Sequence, residues 1–150
     1  MSIAHRNDPD LIAALLADPG VWAVVGLSTN ESRTAHRVAR WLKFEKHKGI
    51  VPVHPKAETV FGDEGYATLG DIPDQDLKVV DCFVRSELVG AVVDQAIENK
   101  DRLHIDAVWM QLGVVDEDAA ERARAAGLGV VMDTCPLIEA RRVRSNGSAR

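Results

Sequence analysis

The chain has 150 residues, a length that suits one domain with a full hydrophobic core rather than a two-domain enzyme. Hydrophobic residues make up 46% and charged residues 27%, the balance of an ordinary globular protein. The net charge of −5 disfavours nucleic-acid and anionic-membrane partners, so a polyanionic ligand would need a local positive patch.

The cysteine count and the absence of targeting signals indicate the compartment. Cys82 and Cys135 form neither a C-x-x-C motif nor a disulfide framework. The sequence shows no signal peptide and no long apolar span. We therefore expect a cytoplasmic protein without a membrane partner.

The first half of the chain predicts two strands and two helices. Asn7-Asp8-Pro9 provides a cap and an early proline for a short helix that Asp18-Pro19-Gly20 ends. An apolar strand at 21–25 is followed by a polar turn and by a helix with Ala35, Val38, Ala39 and Leu42 on its buried face. A second strand at 49–53 ends in His54-Pro55-Lys56.

The second half repeats the alternation of strands and helices. Strands are predicted at 78–84, 105–112 and 128–132. A helix from Ser86 places Leu88, Val89 and Val93 on its apolar face, and an alanine-rich helix at 117–126 is capped by Asp116 and ended by Gly127. After a short apolar turn at 137–138, we expect the domain to end near residue 140 and residues 141–150 to form a flexible basic tail.

This alternation predicts an α/β protein with a three-layer Rossmann-like fold, in which a five-stranded, mainly parallel sheet carries helices on both faces. Parallel strands are buried on both sides, which agrees with the apolar strands of this chain. Ligands of such sheets bind beyond the carboxyl ends of the strands, where the strand order reverses. The candidate segments are therefore 26–32, 54–56, 83–85, 109–113 and 133–136.

The turn after the first strand has only part of a dinucleotide fingerprint. Gly26 occupies the first glycine position of G-x-G-x-x-G, but Ser28 and Glu31 occupy the other two. Ser28, Thr29 and Asn30 suit helix capping as well as they suit phosphate contact. Arg33, a cation in the first helical turn, is interpreted either as an anion ligand or as a solvated surface arginine.

The residues after the second strand suit a phosphorylated ribose. An NAD site usually has an acidic residue there, whereas this chain has Lys56. A lysine matches the charge of NADP or of the 3′-phosphate of coenzyme A, and the alternative is a solvated loop lysine.

The sequence predicts no metal site and no catalytic residue. The five histidines show no metal-binding spacing, and no Walker, G-x-S-x-G or paired-carboxylate motif is present. Cys135 follows a predicted strand, where a nucleophile is possible, but no histidine lies in a partnering motif, so a buried structural thiol is favoured.

Several segments together resemble the small CoA-binding proteins of bacteria, which are related to the CoA-binding domain of the succinyl-CoA ligase α subunit. The matching pieces are VVGLS, VPVHP, WMQLGV and TCPLIE, and the resemblance covers nearly all of residues 10–139. It implies a five-stranded Rossmann-like fold that holds CoA across the strand tips. The ligase itself needs further domains with a phosphorylated histidine, so no complete ligase activity is expected at this length.

The resemblance also implies roles for individual residues. Ser28 and its turn would face the diphosphate, Lys56 the phosphorylated ribose, and Phe83 with Arg85 the adenine nucleotide. Gln111 with Gly113 would lie near the diphosphate or the pantetheine arm. The chain departs from the family pattern at Val84, Ser86 and His54, where a basic residue, proline and asparagine are usual. The complete predicted site is Gly26, Ser28, Thr29, Asn30, Arg33, Pro55, Lys56, Phe83, Arg85, Gln111 and Gly113.

The predicted function is binding of coenzyme A, or of an acyl-CoA, without a complete catalytic apparatus. CoA or acyl-CoA is the only partner that the sequence indicates. Two alternatives stay open. One is an NADP-binding, oxidoreductase-like protein, and the other is an acyl-CoA-using enzyme in which Cys135 accepts the acyl group.

Overall fold

The computed structural model describes residues 4–148, and the side chains of residues 4–145. Its strands are β1 (Val21–Val25), β2 (Ile50–Val53), β3 (Leu77–Cys82), β4 (Ala107–Met110) and β5 (Gly129–Val131). Its helices are α1 (Pro9–Ala17), α2 (Thr34–Phe44), α3 (Ser86–Glu98), α4 (Lys100–Leu103), α5 (Glu117–Ala125) and α6 (Pro136–Ser148). One 3-10 turn, Leu69–Asp71, lies between β2 and β3.

The five strands form one sheet in the order β2-β1-β3-β4-β5, and every neighbouring pair is parallel. The predicted α/β, Rossmann-like fold is confirmed. The strand order reverses between β1 and β3, because the chain leaves β1 toward β2 on one side and returns to β3 on the other. In this topology the ligand crevice is expected at the carboxyl ends of β1 and β3.

Helices cover both faces of the sheet. The first core cluster joins the sheet to α3 and α5 through Val89, Val93 and the alanines of α5. The second cluster joins it to α1, α2 and the start of α6, and includes Trp22 and Trp109, whose ring centroids lie 5.6 Å apart. We call this second side the tryptophan face. Burial of large aromatic rings makes a major contribution to a core of this size.

Local sequence signals account for the starts of α1 and α5 and for the end of α5. The Asp8 side chain accepts the Asp10 N–H at the start of α1, and the Asp116 side chain accepts the Ala119 N–H at the start of α5. Gly127 follows α5 with φ of +90°, a conformation that glycine adopts without strain. These caps were predicted from the sequence and are confirmed.

The structure differs from the prediction after Pro136. Residues 137–138, predicted as a turn, lie in the first turn of α6, so that prediction is wrong. The buried Glu139 accepts hydrogen bonds from the Thr134 hydroxyl and from Arg142, which stabilise a helix that the sequence pattern does not show. Of the predicted tail, residues 141–148 are helical and 149–150 lie outside the described residues; its flexibility and the domain boundary near residue 140 stay predictions.

One buried carboxyl group stands out within the sheet. Asp81 of β3 is 0% exposed, and neither carboxyl oxygen has a hydrogen-bond partner. Its register neighbours are Val24 on β1 and Trp109 on β4. Burial raises the pKa of this carboxyl well above its ordinary value and so favours its neutral form.

None of the described helices has the length and apolar character needed to cross a membrane.

Candidate functional site

An open cavity of about 1200 Å³ lies along the carboxyl edge of the sheet. Residues at the ends of all five strands line it, from His54 after β2, through Gly26 and Phe83 at the switch point, to Gln111 after β4 and Cys135 after β5. The volume exceeds that of a typical small-molecule pocket. The cavity therefore occupies the position that the sheet topology predicts for a ligand.

Gly26 shapes the floor of this cavity at the end of β1. Its φ is +100°, and its N–H donates to the Val53 carbonyl at 2.7 Å. A Cβ atom at this position would lie 2.3 Å from the Phe83 carbonyl oxygen, which no side chain tolerates. Glycine is therefore required by the packing of β1 against β3, whether or not a ligand is bound.

The polar residues after Gly26 hold their own loop. Ser28 Oγ accepts the Asn30 N–H at 3.2 Å, and Asn30 Oδ1 accepts the Ser32 N–H at 3.0 Å and the Ser32 hydroxyl at 2.6 Å. Ser28 lines the cavity, whereas Thr29 and Asn30 are exposed beside it. None of them caps α2, because Arg33 is the N-cap residue and no side chain makes a capping bond there.

A carboxylate that the sequence analysis missed lies against this turn. Glu58 accepts the Thr29 hydroxyl at 3.1 Å and, at a long 3.4 Å, the Thr29 N–H. The two residues are 29 positions apart, so no local sequence pattern could have paired them. The turn thus already holds an anionic group supplied by the protein.

The segment after β2 is folded around His54. The His54 ring Nδ1 accepts the Lys56 N–H at 3.1 Å, and the His54 carbonyl accepts the Ala57 N–H at 2.7 Å. His54 and Pro55 line the cavity, but Lys56 is exposed and does not. The lysine therefore stands at the rim and reaches a ligand only by extending its side chain.

Four arginines and no carboxylate line the cavity, although the chain as a whole is acidic. Arg37 lies in α2 and Arg141 in α6, whereas Arg33 and Arg85 are the N-cap residues of α2 and α3. Arg85 lies 4.0 Å from Glu87 in an exposed pair, which contributes little. Within residues 4–145, the other three guanidinium groups have no hydrogen-bond or ion-pair partner.

Arg37 was not among the predicted site residues, and Arg141 was left in the predicted tail. A signal for Arg37 was available, because residues 33 and 37 are four apart and share one face of a helix. No such signal existed for Arg141, whose position depends on α6 packing beside α2.

The cavity is apolar on its β3–β4 side, where Phe83, Val84, Leu88 and Leu112 line it. Leu88 was predicted to be buried on the inner face of α3, but it is 50% exposed and faces the cavity, so that prediction is wrong. Gln111 is 5% exposed, and its Oε1 has no hydrogen-bond partner. This acceptor is unsatisfied in the folded protein, and a turn of the Gln111 side chain toward the cavity would bring it to a donor on a ligand.

Gly113 lies outside the cavity lining, and its backbone N–H and carbonyl both form hydrogen bonds within the protein. Its N–H donates to Asp133 Oδ1 at 2.8 Å, and its carbonyl accepts the Ser86 hydroxyl at 3.3 Å. Ser86 Oγ in turn accepts the Val115 N–H at 3.0 Å. Ser86 therefore connects the loops after β3 and β4.

The two cysteines differ in their access to the cavity. Cys82 is 0% exposed among the residues that face α3 and α5, and burial raises the pKa of its thiol. Cys135 is 8% exposed, belongs to the tryptophan face and lines the cavity immediately before α6. Both thiols are free.

The predicted site residues thus divide into two groups. Those that line the cavity are Gly26, Ser28, Arg33, Pro55, Phe83, Arg85 and Gln111. Thr29, Asn30, Lys56 and Gly113 lie on neighbouring loops outside the lining. Across residues 4–148, no group of three His, Cys, Asp or Glu side chains is placed to hold a metal ion.

Comparison with protein families gives one match over most of the chain. The profile described as a CoA binding domain matches residues 20–141. The curated relative YneT of Bacillus subtilis (strain 168), an uncharacterized protein, is 32% identical over 113 residues, which is 75% of this chain and 79% of YneT.

Solved structures share the fold. A hypothetical protein from Pyrococcus horikoshii OT3 superposes with a TM-score of 0.81 at 32% identity, over 94% of this chain and 98% of that one. The dinucleotide-forming acetyl-coenzyme A synthetase 1 of Ca. Korarchaeum cryptofilum gives a TM-score of 0.67 at 25% identity. That match covers 77% of this chain but only 26% of the synthetase.

Proposed function

This chain belongs to the CoA-binding domain family, and from that premise we propose that its cavity binds coenzyme A or an acyl-CoA thioester. The observation that carries the proposal is the charge of the cavity. Four arginines and no carboxylate line it, in a chain whose net charge is −5. Such a local reversal of sign matches a polyanion, and guanidinium groups bind phosphate oxygens through two parallel hydrogen bonds.

The two halves of the cavity match the two halves of the ligand. Arg33 and Arg37 lie at the start of α2, whose N-terminal end favours an anion, and this supports placing the diphosphate there. Phe83, Leu88 and Leu112 offer an apolar surface to the adenine ring and to the methyl groups of the pantetheine arm.

We propose that the ligand lies across the sheet in the order of the strands. The phosphorylated ribose lies at the β2 end, within reach of Lys56, and the diphosphate near the turn at Ser28. The pantetheine arm passes Gln111, whose unpartnered Oε1 accepts an amide N–H. Gly26 and Pro55 shape the floor and the rim.

The proposed role is binding rather than catalysis. His54 is the only imidazole and Cys135 the only thiol among the residues lining the cavity, and they follow β2 and β5, the two edge strands of the sheet. An acyl transfer to Cys135 needs a base near the thiol, and the cavity lining places no acidic or imidazole side chain there. The acyl-acceptor alternative is tested by intact mass spectrometry after incubation with acetyl-CoA.

Titration calorimetry with CoA, dephospho-CoA and NADP tests the proposal. We expect saturable binding of CoA with one ligand per chain, weaker binding of dephospho-CoA and weaker binding still of NADP. Absence of heat with CoA at high protein concentration would contradict the proposal.

The NADP-binding alternative shares the arginines and Lys56, because NADP also carries a ribose phosphate. It predicts that NADPH binds at least as tightly as CoA, and titration of the reduced nicotinamide fluorescence measures that directly. Tighter NADPH binding would replace CoA by NADP as the ligand.

A further inference from the structure

The cavity continues one strand beyond the place that the proposed function gives to the pantetheine arm. The sheet order is β2-β1-β3-β4-β5, and the proposed ligand lies from the end of β2 to Gln111 at the end of β4. The next strand is β5, about 4.8 Å further along. Its following loop brings Cys135 into the lining of the same cavity.

The contacts around Cys135 fix its position relative to Gln111. The Asp133 N–H donates to the Met110 carbonyl at 2.9 Å, and Trp109 Nε1 donates to the Thr134 carbonyl at 2.9 Å. Two hydrogen bonds therefore join the two residues before Cys135 to the end of β4. The thiol is held near the end of β4 rather than on a free loop.

Gln111 is a second, independent sign of a ligand at this end. It is 5% exposed, it lines the cavity, and its Oε1 has no partner within the protein. An unpartnered buried acceptor costs free energy, and a ligand N–H removes that cost. The pantetheine arm has amide N–H groups followed by a thiol, so an arm bonded to Gln111 would direct its sulfur toward β5.

We propose that Cys135 forms a mixed disulfide with coenzyme A by thiol–disulfide exchange with CoA disulfide. The thiolate of Cys135 attacks one sulfur of CoA disulfide, a Cys135–CoA disulfide bond forms, and the second CoA leaves as its thiolate, which takes up a proton. The exchange conserves disulfide bonds, so it requires no oxidant besides CoA disulfide. This inference rests on the proposed function, because the CoA moiety must occupy the cavity.

Exchange suits this site better than acyl transfer does. Both reactions start from the Cys135 thiolate, but exchange displaces a thiolate directly and forms no tetrahedral oxyanion that the protein must stabilise. Leu137, Ile138 and Arg141, which follow Cys135 in the chain, line the same cavity. Holding the two sulfurs together raises their effective concentration, which favours CoA disulfide over other disulfides.

Intact mass spectrometry of the full chain, incubated with CoA disulfide, tests the proposal. We expect one adduct per chain with the mass of CoA less two hydrogen atoms, which dithiothreitol reverses. Cys135→Ala should abolish the adduct, and Cys82→Ala should leave it unchanged. The rate with CoA disulfide should exceed the rate with glutathione disulfide at least tenfold, and Gln111→Leu should reduce that ratio several-fold.

Two outcomes would overturn the inference. Absence of an adduct on Cys135 is one, and equal rates with CoA disulfide and glutathione disulfide is the other, since that indicates an unspecific thiol. Calorimetry of the reduced wild-type protein with reduced CoA separates this failure from failure of the proposed function. Binding of reduced CoA without an adduct leaves the function intact, whereas absence of both contradicts both.

Discussion

Charged side chains at the amino edge of the sheet have partners within the part of the chain that the structure describes, whereas most of those that line the cavity at the carboxyl edge do not. At the amino edge, the buried Lys48 ammonium donates to the Leu16 carbonyl at 2.9 Å and to the Asp18 carbonyl. Lys78 lies between Asp18, at 3.1 Å, and Asp106, at 2.6 Å. At the carboxyl edge, Arg33, Arg37 and Arg141 line the cavity without any such partner within residues 4–145.

This difference separates charged groups that stabilise the fold from charged groups that remain available to a ligand. Hydrogen bonds to Asp106 and Asp18 raise the pKa of Lys78, and the Gly20 N–H, followed by Lys78, lowers the pKa of Asp18. These groups therefore stabilise the folded state of the protein itself. Cations that lack internal partners repel one another and gain only when an anion arrives, so their effect should appear in binding and not in unfolding.

The largest expected effect is on binding at the carboxyl edge. Reversing two cavity charges in Arg37→Glu/Arg141→Glu should weaken CoA binding at least about a hundredfold, since each charged hydrogen bond contributes roughly 1.5 to 3 kcal/mol before screening. The melting temperature should stay unchanged, because neither side chain stabilises the fold. Calorimetry and thermal unfolding measure the two quantities.

Arg6→Glu/Arg124→Glu is the matched control, because both arginines line a separate pocket at the amino end of β5 and the change in net charge is equal. We expect it to weaken CoA binding less than about threefold through long-range repulsion alone. Equal losses in the two double variants would mean that net charge, and not the cavity arginines, controls affinity.

The converse substitution is at the amino edge. Lys48→Met keeps the apolar stem but leaves two part-buried carbonyl oxygens without a donor, and should lower the free energy of unfolding by about 1 to 3 kcal/mol. CoA affinity should not change. Urea unfolding measures the loss, and the exposed neighbour variant Lys46→Met should lose less than about 0.5 kcal/mol. A similar loss in both variants would refute the role given to the buried ammonium.

Asp81 lies in the sheet between the two edges, and its stability effect depends on pH. Because burial raises the folded-state pKa of Asp81 above the ordinary value of an aspartate, its favourable contribution is complete below that ordinary value and is lost as pH rises. Asp81→Asn, which keeps the shape without ionising, should therefore melt several degrees higher than the wild type at pH 8 and at the same temperature near pH 3. A pH-independent difference would contradict this explanation.

Lys56 tests the rim of the carboxyl edge. Lys56→Glu should weaken CoA binding roughly tenfold through the ribose phosphate, and the exposed position of the side chain favours the lower end of the range for charged hydrogen bonds. Dephospho-CoA binding should hardly change. Equal losses for the two ligands would assign Lys56 to the diphosphate or to the loop, and no loss would make it a solvated lysine.

Glu58 gives the smallest expected effect, in the opposite direction. Its carboxylate lies on Thr29 beside the turn proposed to face the diphosphate, so Glu58→Gln should strengthen CoA binding about threefold by removing a competing negative charge. Glu64→Gln, in the same loop but bonded to Tyr66, is the charge-matched control. Equal gains in both variants would leave only a general charge effect.

The sequence predicted the fold more completely than the site. Strand β1 was predicted at its observed bounds, and the other four strands were located to within a few residues, because parallel strands are short apolar runs between helical patterns. The caps Asp8 and Asp116 were predicted because capping acts within one helical turn. Helix α6 was missed because it is stabilised by the contact of Glu139 with Thr134 rather than by an apolar stripe.

The candidate site was predicted in part: features set by local sequence patterns were predicted, and contacts between distant parts of the chain were not. The sequence by itself determined the sheet, its carboxyl edge and the residues that follow each strand, since local periodicity and capping specify these. Only the tertiary structure decided which of those residues reach the cavity. Arg141 and Cys135 line the cavity because of how α6 packs, and Glu58 bonds to Thr29 from another loop. Gly113 lies outside the lining, and its N–H donates to Asp133. Each of these contacts joins positions far apart in the chain, and no short sequence pattern encodes such a distance.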